Sequence, residues 1–241
     1  RAAVQDRRDL LGRVNQRIAA ASDGAFDITY ASVGYLYDYR HRVRPDEAEI
    51  DSHLPAVDWR SLELDPANST VRFRKPGMRI DLGGFAKGYA VDRSIELLQA
   101  RGIEHASVSA GGDTRILGDR FGRPWIVGIR HPDDANRVIL RMPLENVALS
   151  TSGDYERYFD ENGVRYHHII DPRTGHSASK VRSATIIGPT ATQTDGLSKT
   201  AFVLGPEKAL EILARIPDID AVFVGPDGKV YYTPGLAPPA K

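Results

Sequence analysis

The stretch Ile80–Asp92, I-D-L-G-G-F-A-K-G-Y-A-V-D, constrains this chain more than any other, because an extended run stops at two glycines and a helix begins at once. Beyond the turn, Val91, Ile95 and Leu98 recur at helical spacing, which predicts a helix to about Gly102 with that face buried. A helix start presents backbone N–H groups with partial positive charge, and glycines let a ligand's phosphates approach them closely. Asp81 and Lys87 flank that opening. The spacing is neither a Walker loop nor a dinucleotide fingerprint. An ordinary strand-to-helix turn with a surface lysine fits these residues as well as a phosphate site does.

With 241 residues the chain can bury a full core, as one large domain or two small ones. No internal linker or repeat divides it, so a single domain over 1–241 is expected. The 32 lysines and arginines balance 32 aspartates and glutamates, so no basic field points to nucleic acid or an anionic membrane, and selectivity must come from a local site. The absence of cysteine excludes disulfides, thiol catalysis and thiolate metal sites, leaving oxygen and imidazole as metal ligands. No apolar run is long enough to span a bilayer. The first residues already read as the interior of an amphipathic helix, which sets the expectation of a segment upstream of Arg1.

That first helix is expected from about Val4 to Ala21, with Leu10, Leu11, Val14 and Ile18 on one face and Ser22-Asp23-Gly24 ending it. Tyr30, Tyr35, Tyr37 and Tyr39 follow, read mostly as packing under a loop. An irregular excursion with a short helix near Pro45 to His53 leads to the strand T-V-R-F-R. After the central helix come the strands H-A-S-V-S-A, G-G-D-T-R-I-L-G and P-W-I-V-G-I-R, then a hairpin turning at residues 160–163, then S-A-T-I-I-G-P. A helix over Thr194 to Leu204, another opened by Pro206, and a closing hairpin around Pro226-Asp227-Gly228 complete the pattern. The expected class is α+β, with mixed, largely antiparallel sheets packed with helices. The Gly-Pro-rich tail after Tyr232 is expected to fray.

Four further clusters can carry chemistry. Gly111-Gly112-Asp113 joins two strands where backbone can approach a ligand, and is also an ordinary turn. Ser150-Thr151-Ser152-Gly153 offers small hydroxyls and flexible backbone. In Y-H-H-I-I-D-P-R-T-G, adjacent histidines on a strand point to opposite faces, so only one of His167 and His168 can look into a given site and act as a general base. T-D-G-L-S-K-T places Asp195, Ser198 and Lys199 at a helix start. Asp195 suits magnesium there, but the spacing alone favours a carboxylate that satisfies the helix dipole and makes an i,i+4 pair with Lys199 worth roughly 0.3–0.5 kcal/mol.

Together D-L-G-G-F-A-K-G-Y-A-V-D, S-A-G-G-D, S-T-S-G-D-Y-E-R-Y-F, Y-H-H-I-I-D-P-R-T-G and T-D-G-L-S-K-T-A-F-V-L-G-P-E-K resemble the ApbE family of flavin transferases, in the family's order, from about Gly24 to Thr233. The resemblance implies an ApbE-like, T-fold-related architecture. It implies an enzyme that splits FAD with magnesium and attaches FMN to a threonine or serine of an acceptor flavoprotein. Its expected location is periplasmic, or at the inner membrane facing the periplasm.

Residue by residue, Asp81 and Lys87 match positions that contact FAD, and Gly84 one that gives the metal a backbone oxygen. Asp195 matches the magnesium carboxylate, Ser198 a neighbouring ligand position, and His168 the base. Asp27, Ile28 and Thr29 match a segment lining the flavin pocket, and Gly111, Gly112, Asp113, Ser152 and Ile169 complete the expected flavin contacts. Lys199 stands where the family usually carries threonine, and a protonated lysine cannot coordinate a cation. Either it swings away and magnesium is held weakly, or its ammonium takes part of the metal's place; weakened magnesium is the expectation. The family's N-terminal segment, which contributes a strand and flavin contacts, has no counterpart in this sequence, which puts FAD affinity in question. Two alternatives stand beside transfer: a magnesium-dependent FAD pyrophosphatase releasing FMN and AMP, and a flavin-binding protein without turnover.

Overall fold

The computed structural model describes residues 15–65, 67–68 and 70–236. The expected first helix before Asn15 and the end of the tail after Leu236 lie outside them. The chain forms two units, each from two separated segments: Arg1–Leu82 with Glu156–Ala178, and Gly83–Tyr155 with Ser179–Lys241.

In the first unit, short helices at Gln16–Ala21, Ala31–Gly34 and Glu47–His53 accompany two ribbons, Leu62–Asp65 with Thr70–Phe73 and Tyr158–Glu161 with Val164–His167. The helix near Pro45 starts on a reciprocal cap. Asp46 accepts from the Glu49 N–H, and Glu49 accepts from the Asp46 N–H. The second ribbon turns at Asn162 (φ 51°) and Gly163 (φ 79°), the left-handed pair that a two-residue hairpin requires.

Tyr30, Tyr37 and Tyr39 pack as the sequence suggests, while Tyr35 is exposed. Val33, Tyr37, Ile50 and Ile170 form the unit's core with Tyr30, Tyr39 and Tyr166 against it, and Tyr37 stacks on Tyr39 with centroids 5.8 Å apart. Burial, then the nearby Glu47 carboxylate, pushes the Tyr37 phenol up to about 12. An unfolded phenol ionises near 10, so the stability held by a neutral Tyr37 is present below that pH and is lost as pH rises toward 12. Chemical denaturation at pH 9 and pH 11.5 is expected to show a smaller alkaline loss in Tyr37→Phe than in the parent. Equal losses would remove Tyr37 as a source of the alkaline transition.

The second unit is a six-stranded antiparallel sheet with helices against it. Its elements are α1 (Ala86–Gln99), β1 (Ala106–Ala110), β2 (Asp113–Leu117), β3 (Trp125–His131), β4 (Asp134–Leu144), β5 (Ala148–Gly153), β6 (Ser183–Gly188), α2 (Ala191–Leu204), α3 (Pro206–Leu213), β7 (Asp220–Val224) and β8 (Val230–Tyr232). The sheet order is β8-β7-β6-β5-β2-β1, so both segments of the unit share one ladder, while β3 and β4 make a separate ribbon. Ile116, Ile129, Met142, Leu149, Ile187 and Val222 bring ribbon and sheet into one core. No helix among the described residues is long and apolar enough to cross a membrane.

Three local expectations are corrected. Ile80–Leu82 joins no strand, although the Asp81 N–H donates to the Ile28 carbonyl at 3.0 Å. Ser150–Gly153 is not a flexible stretch but the end of β5, mostly buried, with all four residues paired to β6 and Ser150 also opposite Asp113 of β2. The helix expected from Thr194 starts at Ala191, with Thr190 accepting from the Gln193 N–H, so Asp195 lies in its second turn and not at its start.

Candidate functional site

The α1 and α2 helices cross where Gly88 meets Ala191. A Cβ on Gly88 would sit 2.1 Å from the Ala191 carbonyl oxygen and 2.8 Å from the Thr192 nitrogen, so only glycine permits this approach. Each helix then caps the other. Asp195 of α2 accepts through Oδ2 from the Gly88 N–H at 3.1 Å, satisfying a donor in the first turn of α1, where Phe85 provides no side-chain cap. Asp92 of α1 accepts from the Ala191 N–H at 2.9 Å, the Thr192 N–H at 2.8 Å and the Thr192 hydroxyl at 2.6 Å. Arg115 pairs with the same carboxylate at 2.7 Å. A buried carboxylate on a helix N-terminus is a charge-assisted bond and a match for the dipole at once.

Four charges gather at this crossing. The Lys87 ammonium lies 3.1 Å from Asp113 Oδ2 and 3.5 Å from Asp195 Oδ1, and the Lys199 ammonium donates to Asp195 Oδ1 from one turn further along α2. Side-chain exposures are 0% for Asp195, 2% for Asp113, 20% for Lys199 and 39% for Lys87, so Lys87 is the member most open to solvent. Burial pulls the Lys87 ammonium down, but Asp195 and Asp113 outweigh it and hold it above the usual lysine range. Burial pushes the Asp113 carboxyl up against the pull of Lys199. Burial pushes Lys199 down against the attraction of Asp195.

Glycine conformation places Asp113. Gly111 (φ 55°) and Gly112 (φ 95°) form the left-handed turn from β1 into β2, and a Cβ on Gly111 would stand 3.0 Å from the Lys87 stem. Ser152 in β5 shares a 2.8 Å bond with Ser198, whose hydroxyl also lies 2.9 Å from the Asp195 carbonyl as donor. The Ser198 oxygen is therefore engaged with the sheet and its own helix.

A family model described as the ApbE family matches residues 8–223. The chain belongs to the ApbE family. It is 35% identical over 236 residues to the FAD:protein FMN transferase of Treponema pallidum (strain Nichols), covering 90% of this chain and 65% of that protein. It is 35% identical over 207 residues to the FAD:protein FMN transferase of Klebsiella pneumoniae (strain 342), covering 84% and 64%. The chain thus spans just under two thirds of the length of these curated relatives. Its fold matches the ApbE protein of Thermotoga maritima with a TM-score of 0.87 at 36% identity, over 95% of this chain and 76% of that one.

Of the residues expected from the ApbE pattern, Lys87, Gly111, Gly112, Asp113, Ser152, Asp195, Ser198 and Lys199 all fall in the second unit, at or beside the helix crossing. Gly84 lies there too, half-buried in the turn that leads into α1. Asp27, Ile28, Thr29, Asp81, His168 and Ile169 belong to the first unit. There Asp27 Oδ1 accepts from the Thr29 N–H at 2.8 Å and hydroxyl at 2.7 Å, and its Oδ2 from the Trp59 N–H at 3.0 Å. Thr29 in turn accepts from the Asp58 N–H at 2.8 Å. Burial pushes the Asp27 carboxyl up. Ile28, between Asp27 and Thr29, and Ile169, next to His168, are both buried. Asp81 hydrogen-bonds the Tyr30 phenol, which burial pushes upward.

The two histidines separate clearly. The ribbon ends at His167, which is buried, donates from Nε2 to the Ala178 carbonyl at 2.6 Å and accepts at Nδ1 from the Ile169 N–H at 3.3 Å. These partners set one neutral tautomer and occupy both ring nitrogens. His167 is therefore an interior strut. His168, half-buried, follows the strand, with its N–H bonded to the Arg157 carbonyl at 3.1 Å.

Sequence reasoning missed Gly88 and Asp92. Both lie within Ile80–Asp92, and a glycine inside a helix, about 1 kcal/mol worse than alanine, signals a close packing contact.

Proposed function

We propose that this ApbE chain moves the FMN part of FAD onto a threonine or serine hydroxyl of an acceptor protein, with AMP as the other product. The relatives that carry the name FAD:protein FMN transferase support this reading. So does a match to the solved flavin transferase ApbE of Vibrio cholerae, with a TM-score of 0.81 at 30% identity over 93% of this chain and 74% of that one. The observation that carries it within this chain is Lys87, a partly open ammonium at the first turn of α1, held by two buried carboxylates. A pyrophosphate repels an incoming nucleophile until cations and N–H groups offset its charge, and a lysine preorganised beside a helix start does that without rearrangement.

The acceptor hydroxyl oxygen bonds to the FMN-side phosphorus as the bond from that phosphorus to the bridging oxygen breaks. AMP leaves with that electron pair, and the hydroxyl proton passes to a general base, the role that the ApbE resemblance gives to His168.

The magnesium implied by the resemblance does not fit the donors at Asp195 as they stand. Oδ2 accepts from Gly88, Oδ1 carries the Lys199 and Lys87 ammoniums, and Ser198 is turned to Ser152 and to the Asp195 carbonyl. No group of three histidine, aspartate or glutamate side chains placed to hold a metal exists among the described residues.

Incubation with FAD and a flavin-accepting protein, followed by mass spectrometry, is expected to show one FMN added to a threonine or serine of the acceptor. Free FMN with an unlabelled acceptor would sink transfer in favour of hydrolysis, and intact FAD would sink turnover altogether.

A further inference from the structure

We propose that Lys199 is the resident cation of this site: its ammonium takes the place on Asp195 that a divalent metal would need, and transfer by this chain runs without added magnesium. The second half of that statement rests on the transferase reading, while the first is a property of the site itself.

Charge balance is the first reason. Asp113 and Asp195, with almost no solvent exposure, face Lys87 and Lys199, so two negative charges meet two positive ones. In the protein without FAD, a divalent ion added to that set would leave two uncompensated positive charges in a largely dry crossing, which buried ionic groups do not tolerate without expelling a partner. Ligand supply is the second. A small divalent cation needs several oxygen ligands around it. Here the Asp195 Oδ1 position is filled by an ammonium, Oδ2 is turned to the Gly88 N–H, and Ser198 bonds to Ser152. Local geometry is the third, because Asp195 and Lys199 stand four residues apart on one helix face and meet through helical periodicity alone. A lysine has no lone pair to offer a metal while protonated, so it can replace the ion but cannot help to bind it.

The test is a titration with Mn2+ as a spectroscopic probe, read by electron paramagnetic resonance, on the parent protein, Lys199→Thr and Lys199→Ser. Each variant removes the ammonium and leaves a hydroxyl oxygen one turn from Asp195. The parent is expected to show no saturable binding up to about 1 mM, and either variant to gain one site at least about tenfold tighter. The gained site is expected to disappear in the double variant Lys199→Thr/Asp195→Asn. In parallel, flavin transfer by the parent is expected to change less than about twofold when EDTA replaces magnesium. Saturable Mn2+ binding by the parent overturns the proposal with no variant needed, as does a folded Lys199 variant that gains no site. A variant that folds only when Mn2+ is present supports it. Loss of transfer in EDTA overturns the metal-free activity. If no preparation labels an acceptor under any condition, the transferase reading fails, and the Mn2+ titration still decides what occupies Asp195.

Discussion

His168→Ala is expected to lower flavin transfer by at least about 100-fold, the usual contribution of a positioned general base, while FAD binding and thermal stability stay near those of the parent. His167→Ala is expected to behave in the opposite way. Its imidazole is buried, bonded at Nε2 to the Ala178 carbonyl and at Nδ1 to the Ile169 N–H, so removal leaves a cavity and two backbone groups without partners. Losses of that kind add to roughly 2–5 kcal/mol, seen as a lower melting temperature, with transfer per folded molecule largely kept. Measuring kcat and melting temperature on both variants separates the roles. A folded His167→Ala that is inactive, beside an active His168→Ala, would move the base to the other histidine.

Gly88→Ala carries the largest expected effect on stability. Alanine is the better helix former by about 1 kcal/mol, yet here its methyl would lie 2.1 Å from a backbone oxygen that has no side-chain freedom to retreat. The helices must part, the Gly88 N–H must leave Asp195, and the three bonds from the start of α2 to Asp92 are strained with it. A net loss above about 3 kcal/mol is expected, visible as a chain that is unfolded or strongly destabilised in denaturant. A variant that melts within a few degrees of the parent would show that the two helices have room to spare at their crossing.

Much of the architecture is legible in the residues themselves. Asn162-Gly163 announces its hairpin because that pair adopts left-handed backbone readily, and the α+β class follows from strands with turn chemistry alternating with apolar helical faces. The strand β4 escapes because Asp134, Asn136 and Pro143 lower its strand character, and its value lies in pairing with β3 and in packing Met142 inward. The end of β5 escapes because Ser150-Thr151-Ser152-Gly153 reads as loop composition. Its hydroxyls instead bond to Thr194, Thr185 and Ser198, and a central strand needs small residues where a helix presses close. The first turn of α2 carries a readable signal, Thr190 with Gln193 three residues later, that apolar periodicity alone does not detect. At the site, ordered motifs name the residues, but motifs cannot say which atom meets which. That Lys199 rests on Asp195, and that His167 is fully engaged, comes only from geometry.

The mutual capping of α1 and α2 also bears on how the chain is made. The donor of Gly88 waits for a carboxylate 107 residues downstream, and those of Ala191 and Thr192 wait for one about 100 residues upstream. During synthesis the earlier helix therefore emerges with an open end, and no local contact can close it until the later one has left the ribosome. Cutting the gene between them would yield two fragments, each displaying a ragged terminus that only the missing piece can finish.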